Sequence, residues 1–231
     1  MRTFSCDIET DGLDPSVVWC IAVQDVDSGQ VITFSGTTLG LFKPWMASEA
    51  DCLVFHNGIG YDVPVLTRLC GIDFSDVQVE DTLVMSQLDK PRRDGGHSLA
   101  SWGERLGFDK GDHEDWSKFS EEMLTYCIRD TEITTKLYRH LKLKELSEDA
   151  LQLEYDIRKH CSLQEQIGWY FDFHGAMKLL QDINDDLRSV EDEVHKTFTP
   201  LAVWKSKTPV KNRWKKGGGR TRAHQSEVDL Q

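Results

Sequence analysis

No two of the six cysteines (Cys6, Cys20, Cys52, Cys70, Cys127, Cys161) stand in a C-x-x-C pair. That spacing argues against a disulfide framework or a thiolate zinc site, and for small apolar thiols in a reducing compartment. No stretch approaches the roughly 20 apolar residues that a membrane helix needs. The N-terminal Met1-Arg2-Thr3-Phe4-Ser5-Cys6-Asp7 leads straight into a strand pattern, without the apolar region of a signal peptide. These absences predict a soluble, cytoplasmic protein with no membrane partner. Internal repeats are also lacking. Basic residues are scarce, 27 against 39 acids for a formal net charge of −12, a balance that at first argues against nucleic acid.

The placement of charge changes that reading. Between Lys205 and Arg222 lie eight of the 27 basic residues and no acid, which leaves 19 bases against 39 acids, or −20, for everything else. An acidic body with a basic tail points to a contact with DNA or with a partner. The 231 residues, 39% hydrophobic and 29% charged, suffice for one well-cored domain and an appendage. The first half alternates strand and helix signals: strands over 3–8, 17–23, 31–34 and 52–55, and helices over 38–50, 61–69, 81–88, 98–106 and 120–143. This is the pattern of a mixed α/β domain. Amphipathic helices follow over 147–166 and 174–198, separated by an aromatic turn that contains Gly168. The expected division is an α/β domain over 1–145, a helical extension over 146–199 and a basic, flexible tail over 200–231.

Three short segments carry chemistry. In Asp7-Ile8-Glu9 the carboxylates at i and i+2 of a strand share one face, while Phe4, Cys6 and Ile8 turn to the core. Paired carboxylates on one face repel unless a cation lies between them, and magnesium favours such hard oxygen donors. In His56-Asn57-Gly58-Ile59-Gly60-Tyr61-Asp62 an apolar strand ends, glycines allow a tight turn, and Asp62 opens a helix with Pro64 in its first turn. A favourable acid at a helix N-terminus is the plainer account of Asp62. In Tyr126-Cys127-Ile128-Arg129-Asp130 the phenol and the carboxylate share a helix face. A half-buried Tyr126, with Asp130 paired to Arg129 or Lys136, is the plainer account there.

Taken in order, Asp7-x-Glu9, Asn57-x3-Tyr61-Asp62 and Tyr126-x3-Asp130 resemble the three motifs of the DEDDy-type 3′-5′ exonucleases. Asp7 to Asp14 resembles the opening of the exonuclease domain of bacterial DNA polymerase I. Phe55 to Gly58, Tyr61 to Pro64, Asp81 to Val84, His97 to Leu99, Trp102 to Gly107 and Lys110 to Asp112 resemble the replicative polymerases of short-tailed bacteriophages. The likeness spans roughly residues 1–172 and implies the proofreading domain of a family A DNA polymerase, with a ribonuclease H-like mixed sheet flanked by helices and a helical C-terminal extension. It implies that Asp7, Glu9, Asp62 and Asp130 hold two Mg²⁺ or Mn²⁺ ions and that Tyr126 orients the attacking water. A phenol ionises near 10, so Tyr126 reads as a positioner and not a base. It also implies that Thr10 and Leu13 meet the terminal nucleotide, Leu13 as an apolar wedge, and that Asn57 lies near the substrate backbone. His97 and His113 read as structural, and Trp102 and Trp116 as core. The substrate expected is a single-stranded or frayed DNA 3′ end cut to nucleoside 5′-monophosphates in replication, in the host cytoplasm if the gene belongs to a phage. Polymerase motifs are lacking, which leaves three readings: an excised proofreading domain, an exonuclease subunit whose partner is a separate DNA polymerase chain, or a free-standing nuclease. An RNase D-like exoribonuclease and a silent exonuclease fold serving as a polymerase-partner module are the alternatives.

Overall fold

The computed structural model describes residues 1–108 and 111–198; the basic cluster from Lys205 to Arg222 lies outside the described residues. Five strands form one mixed sheet in the order β3-β2-β1-β4-β5. β1 (Thr3–Thr10), β2 (Val18–Asp25) and β3 (Val31–Ser35) make an antiparallel meander. β4 (Cys52–Phe55) runs parallel to β1, and β5 (Gln78–Asp81) runs parallel to β4. β1 is therefore central. Its register slips between Glu9 and Thr10, which face Cys20 and Val18, a bulge of the kind that re-aims side chains beside functional sites.

The period of two in β1 sorts its residues by face. Phe4, Cys6 and Ile8 join Phe34, Leu53, Phe55 and Leu66 in one core, covered by α1 (Phe42–Glu49) and α2 (Asp62–Cys70). Ser5, Asp7 and Glu9 turn to the other face, under α5 (Glu121–Lys142). There Ser5 Oγ lies 2.5 Å from Thr135 Oγ1 and donates to the Thr131 carbonyl at 3.2 Å. A second core on this side joins Val54, Met85, Trp102, Ile133, Leu137 and Leu141, contributed in part by α3 (Thr82–Asp89) and α4 (Leu99–Arg105). Full burial of an aliphatic side chain stabilises by about 1.5–3 kcal/mol, so α5 anchors the fold.

The local signals explain α5 well. Ser120 caps it by accepting the Met123 amide hydrogen at 3.1 Å, acids fill the first turn (Glu121, Glu122), and Arg139, His140 and Lys142 lie in the last. Both ends suit the helix dipole. Two elements differ from the sequence expectation. The helix predicted over 38–50 is a 3-10 turn (Gly36–Leu41) followed by α1, and β5 is a strand that residue preference does not announce.

The chain divides into two compact units after Trp169. α6 (Glu148–Ile167) belongs to the first, where Leu151 and Tyr155 are buried in the second core. In the second unit, α7 (Phe173–Thr197) starts at Asp172, whose side chain accepts the Gly175 amide hydrogen at 2.9 Å. Every described residue of α7 except the half-buried Ala176 is exposed. Among the described residues no helix is long and apolar enough to cross a membrane.

Candidate active site

The β1 alternation that puts apolar residues into the core sends Asp7 and Glu9 to the α5 side. Ligand atoms of Asp7, Glu9 and Cys127 lie within 4.8 Å of one another. Cys127 is one helical turn from Asp130. Its thiol donates to the Asp7 carbonyl at 3.4 Å, and burial, first of all, holds it protonated well above the ordinary thiol range. A neutral thiol is a poor partner for a hard cation. The carboxylates are the donors that suit one.

Asp62, at the first position of α2, is 6% exposed, and Asp130, on the buried side of α5, is 4% exposed. Burial pushes the Asp62 carboxyl up to about 7. Hydrogen bonds from its own amide and the Ile8 amide pull it down, while the charges of Asp81 and Asp130 push it up. The Cys6 thiol is likewise raised, by burial and then by Asp62 and Asp7. Those effects link Asp62 to Asp130 and set Asp62 and Asp7 around the Cys6 thiol, while the close set of ligand atoms holds Asp7 and Glu9 but neither Asp62 nor Asp130. Buried like charges demand a cation or a proton.

The loop that carries Asp62 is held from β5. Asp81, fully buried, accepts the Asn57 amide hydrogen at 2.9 Å, the Ile59 amide hydrogen at 3.1 Å and the Leu83 amide hydrogen at 2.9 Å. Thr82 Oγ1 adds a bond to the Phe55 carbonyl at 3.0 Å. This clamp keeps Asn57 at φ 66, a left-handed conformation that asparagine tolerates better than most residues. Asn57 Oδ1 lies 3.5 Å from Arg158 Nη2 of α6.

Around the acids, Thr10 Oγ1 lies 2.6 Å from the Tyr61 hydroxyl, which donates to the Gly12 carbonyl at 2.7 Å. Tyr61 thus pins the turn that presents Leu13, a leucine 95% exposed. Glu9, Thr10, Leu13, Tyr61 and Trp116 line a cleft of about 280 Å³. Trp116 is half-buried on this wall and packs against a small core of Cys20, Ala22, Met123 and Cys127. Its ring packs edge-on against His113 at 4.7 Å and against Tyr126 at 5.8 Å, and its carbonyl accepts from Trp19 Nε1. Trp102 does lie in the core, with its indole hydrogen on Ser86 Oγ at 2.9 Å. His97 is tied to Ser86 at 2.7 Å and serves structure.

Asp81 and Trp116 were the residues hardest to place from sequence alone. Asp81 stands inside a matched segment, but nothing local shows that its carboxylate reaches back 24 residues. Trp116 had only its aromatic character to offer.

Solved nuclease structures share the fold: the apo form of a nuclease at a TM-score of 0.56 and 20% identity, covering 74% of this chain and 88% of that one. Brucella melitensis NrnC with bound Mg²⁺ follows at 0.55 and 20% identity, covering 74% and 89%. The DNA-directed DNA polymerases of Escherichia phage T7 and Enterobacteria phage T3 are each 28% identical over 181 positions, 58% of this chain. The match takes in only 26% of each polymerase. A family model described as 3′-5′ exonuclease matches residues 1–146, and the chain therefore belongs to the 3′-5′ exonuclease family of family A DNA polymerases.

Proposed function

We propose that the chain is a metal-dependent 3′-5′ exodeoxyribonuclease that trims single-stranded or frayed DNA ends during replication, with residues 1–145 as its nuclease domain. The observation that carries this reading is the burial of Glu9, Asp62 and Asp130 beside the half-buried Asp7, with Asp62 pushed up to about 7. An all-carboxylate donor set of this kind fits Mg²⁺ or Mn²⁺. When bound, such ions lower the pKa of the attacking water and steady the leaving 3′ oxygen.

The protein's own residues do the rest. Asp7, Glu9, Asp62 and Asp130 would hold the cations. Tyr126, half-buried on α5 and braced by Trp116 and His113, orients the water for in-line attack. The water oxygen bonds to phosphorus and releases a proton to solvent, the bond to the 3′ oxygen breaks, and that oxygen takes up a proton from solvent to become the shortened strand's new 3′ hydroxyl. A nucleoside 5′-monophosphate leaves. Thr10 and Leu13 receive the terminal nucleotide, Leu13 as a wedge against its base, while Asn57 faces the backbone. Only an unpaired end enters so narrow a cleft, which favours single strands.

The test is digestion of matched DNA and RNA oligonucleotides with Mg²⁺. The reading expects 5′-monophosphates, and faster loss of DNA. Products that keep a 3′-phosphate overturn the chemistry. RNA degraded as fast as DNA, or faster, moves the substrate to RNA.

A further inference from the structure

Clefts lie on the Tyr126 side and on the Tyr61 side of the site, and their charges differ. On the Tyr126 side, a cleft of about 520 Å³ has among its described lining residues Asp112, Glu122 and Glu132 against one base, Arg129. On the Tyr61 side, three clefts adjoin. The 280 Å³ cleft shares Leu13 and Tyr61 with one of about 380 Å³, which in turn shares Pro64, Arg68 and Gln166 with one of about 580 Å³. All three lie in the first compact unit, and the two larger ones follow the seam between α2 and α6.

Cations mark that seam. Arg68 and Lys159 line the clefts. The guanidinium of Arg158 sits against Gly60, where an added Cβ would meet it, and 3.5 Å from Asn57 Oδ1. Each has an acid nearby: Arg68 lies 3.7 Å from Asp14, Arg158 3.3 Å from Glu165 and Lys159 3.4 Å from Asp156. Those acids are 49% to 104% exposed, and ion pairs so open to water are weak and salt-screened. A phosphate can take their place. Pro64 and Phe74 supply apolar surface along the same groove, as a single-strand channel needs for its unpaired bases.

We infer that the strand 5′ of the scissile phosphate leaves the site over Tyr61 and runs in the groove between α2 and α6, where Arg68, Arg158 and Lys159 meet its phosphates. The acidic Tyr126 side is closed to a phosphate backbone by like charge. This route deepens the proposed exonuclease reading and rests on it. It also gives α6 a part in binding that its place outside the three motif segments does not suggest.

The experiment uses the full chain, with Ca²⁺ to hold an uncut DNA oligonucleotide that carries 4-thiothymidine at its first, third or fifth position from the 3′ end. After irradiation, cross-linked residues are mapped by mass spectrometry. The expected result joins the first position to Leu13 or Trp116, and the third and fifth to residues of α2 and α6. If the first joins Leu13 or Trp116 while the third joins residues 111–132, the route is wrong and the exonuclease site stands. If the first joins neither, both readings fall. Independently, Arg158→Ala with Lys159→Ala should make the slope of log affinity against log salt shallower by about 1.4, at about 0.7 for each phosphate no longer neutralised on a single strand. An unchanged slope overturns the assignment of those two residues.

Discussion

Asp62 is the residue on which the site's electrostatics turn. Its carboxyl, buried and faced by Asp81 and Asp130, is raised from 3.8 to about 7. Without metal, the fold therefore keeps a proton there that the unfolded chain releases. The stabilising share of that proton is full below about pH 4 and is lost as pH rises through about 7. In chelator, the melting temperature is expected to fall between about pH 5 and about pH 8, and Asp62→Asn to flatten that fall. Added Mn²⁺ restores the melting temperature at the upper end, because it binds the folded state alone. A wild-type curve no steeper than the variant's contradicts this account. On the proposed reading, Tyr126 and Asp130, which share a helix face, differ in task. Asp130→Ala would remove a proposed cation donor, and the expected loss is several kcal/mol of transition-state stabilisation, or about 10³-fold at about 1.4 kcal/mol per decade. Tyr126→Phe removes one oriented hydrogen bond and keeps the ring packed on Trp116, so a loss of about tenfold is expected, the effect of about 1–1.5 kcal/mol. Single-turnover rates with saturating enzyme separate the two, and equal losses would tell against the division.

At the scale of elements, the Phe55–Asp62 turn is built with little slack. A Cβ on Gly58 would lie 2.2 Å from the Cβ of Phe55, a side chain with no exposed surface. Gly58→Ala should therefore cost about 1–3 kcal/mol, the usual range for overpacking. Urea unfolding reads it, and a cost below about 0.5 kcal/mol would show that the turn has room. Much of this architecture is legible in the sequence. The alternation in β1 identified which residues face the core, the spacing of Tyr126 and Asp130 gave their common helix face, and Ser120 marked the start of α5. β5 escaped because three of its four residues, Gln78, Glu80 and Asp81, are polar. Pairing with β4 and burial of Glu80 against Lys142 at 3.1 Å make it a strand, a tertiary cause that local preference cannot report. The Asp81 clamp and the approach of Arg158 to Asn57 were hidden for the same reason, since each joins residues 24 and 101 positions apart. The motif segments could be read because their chemistry depends on local spacing. What holds them in place depends on distant chain.

For the whole molecule, charge governs approach to the substrate. With −20 outside the segment from Lys205 to Arg222, DNA meets repulsion over most of the surface. Our proposal for the basic segment, which lies outside the described residues, is that it supplies attraction. Deleting residues 205–231 should weaken DNA binding and flatten its salt dependence, by about 0.7 in slope for each phosphate that the segment neutralises. Fluorescence anisotropy reads both, and an unchanged slope would assign the segment to a partner protein, for which a separate polymerase chain is our proposal. The chain spans 26% of the length of the phage polymerases that it matches. The central claim, that the gathered carboxylates carry out metal-dependent cleavage, is tested most directly by the double substitution Asp7→Ala with Glu9→Ala. Digestion of a 5′-labelled single strand in Mg²⁺ is compared between wild type and variant, with melting temperature measured in parallel. The account predicts a loss of about 10³-fold or more, on the scale of a missing two-metal clamp, with a melting temperature at or above that of the wild type because mutual repulsion is relieved. Cleavage by the variant at the wild-type rate would contradict it.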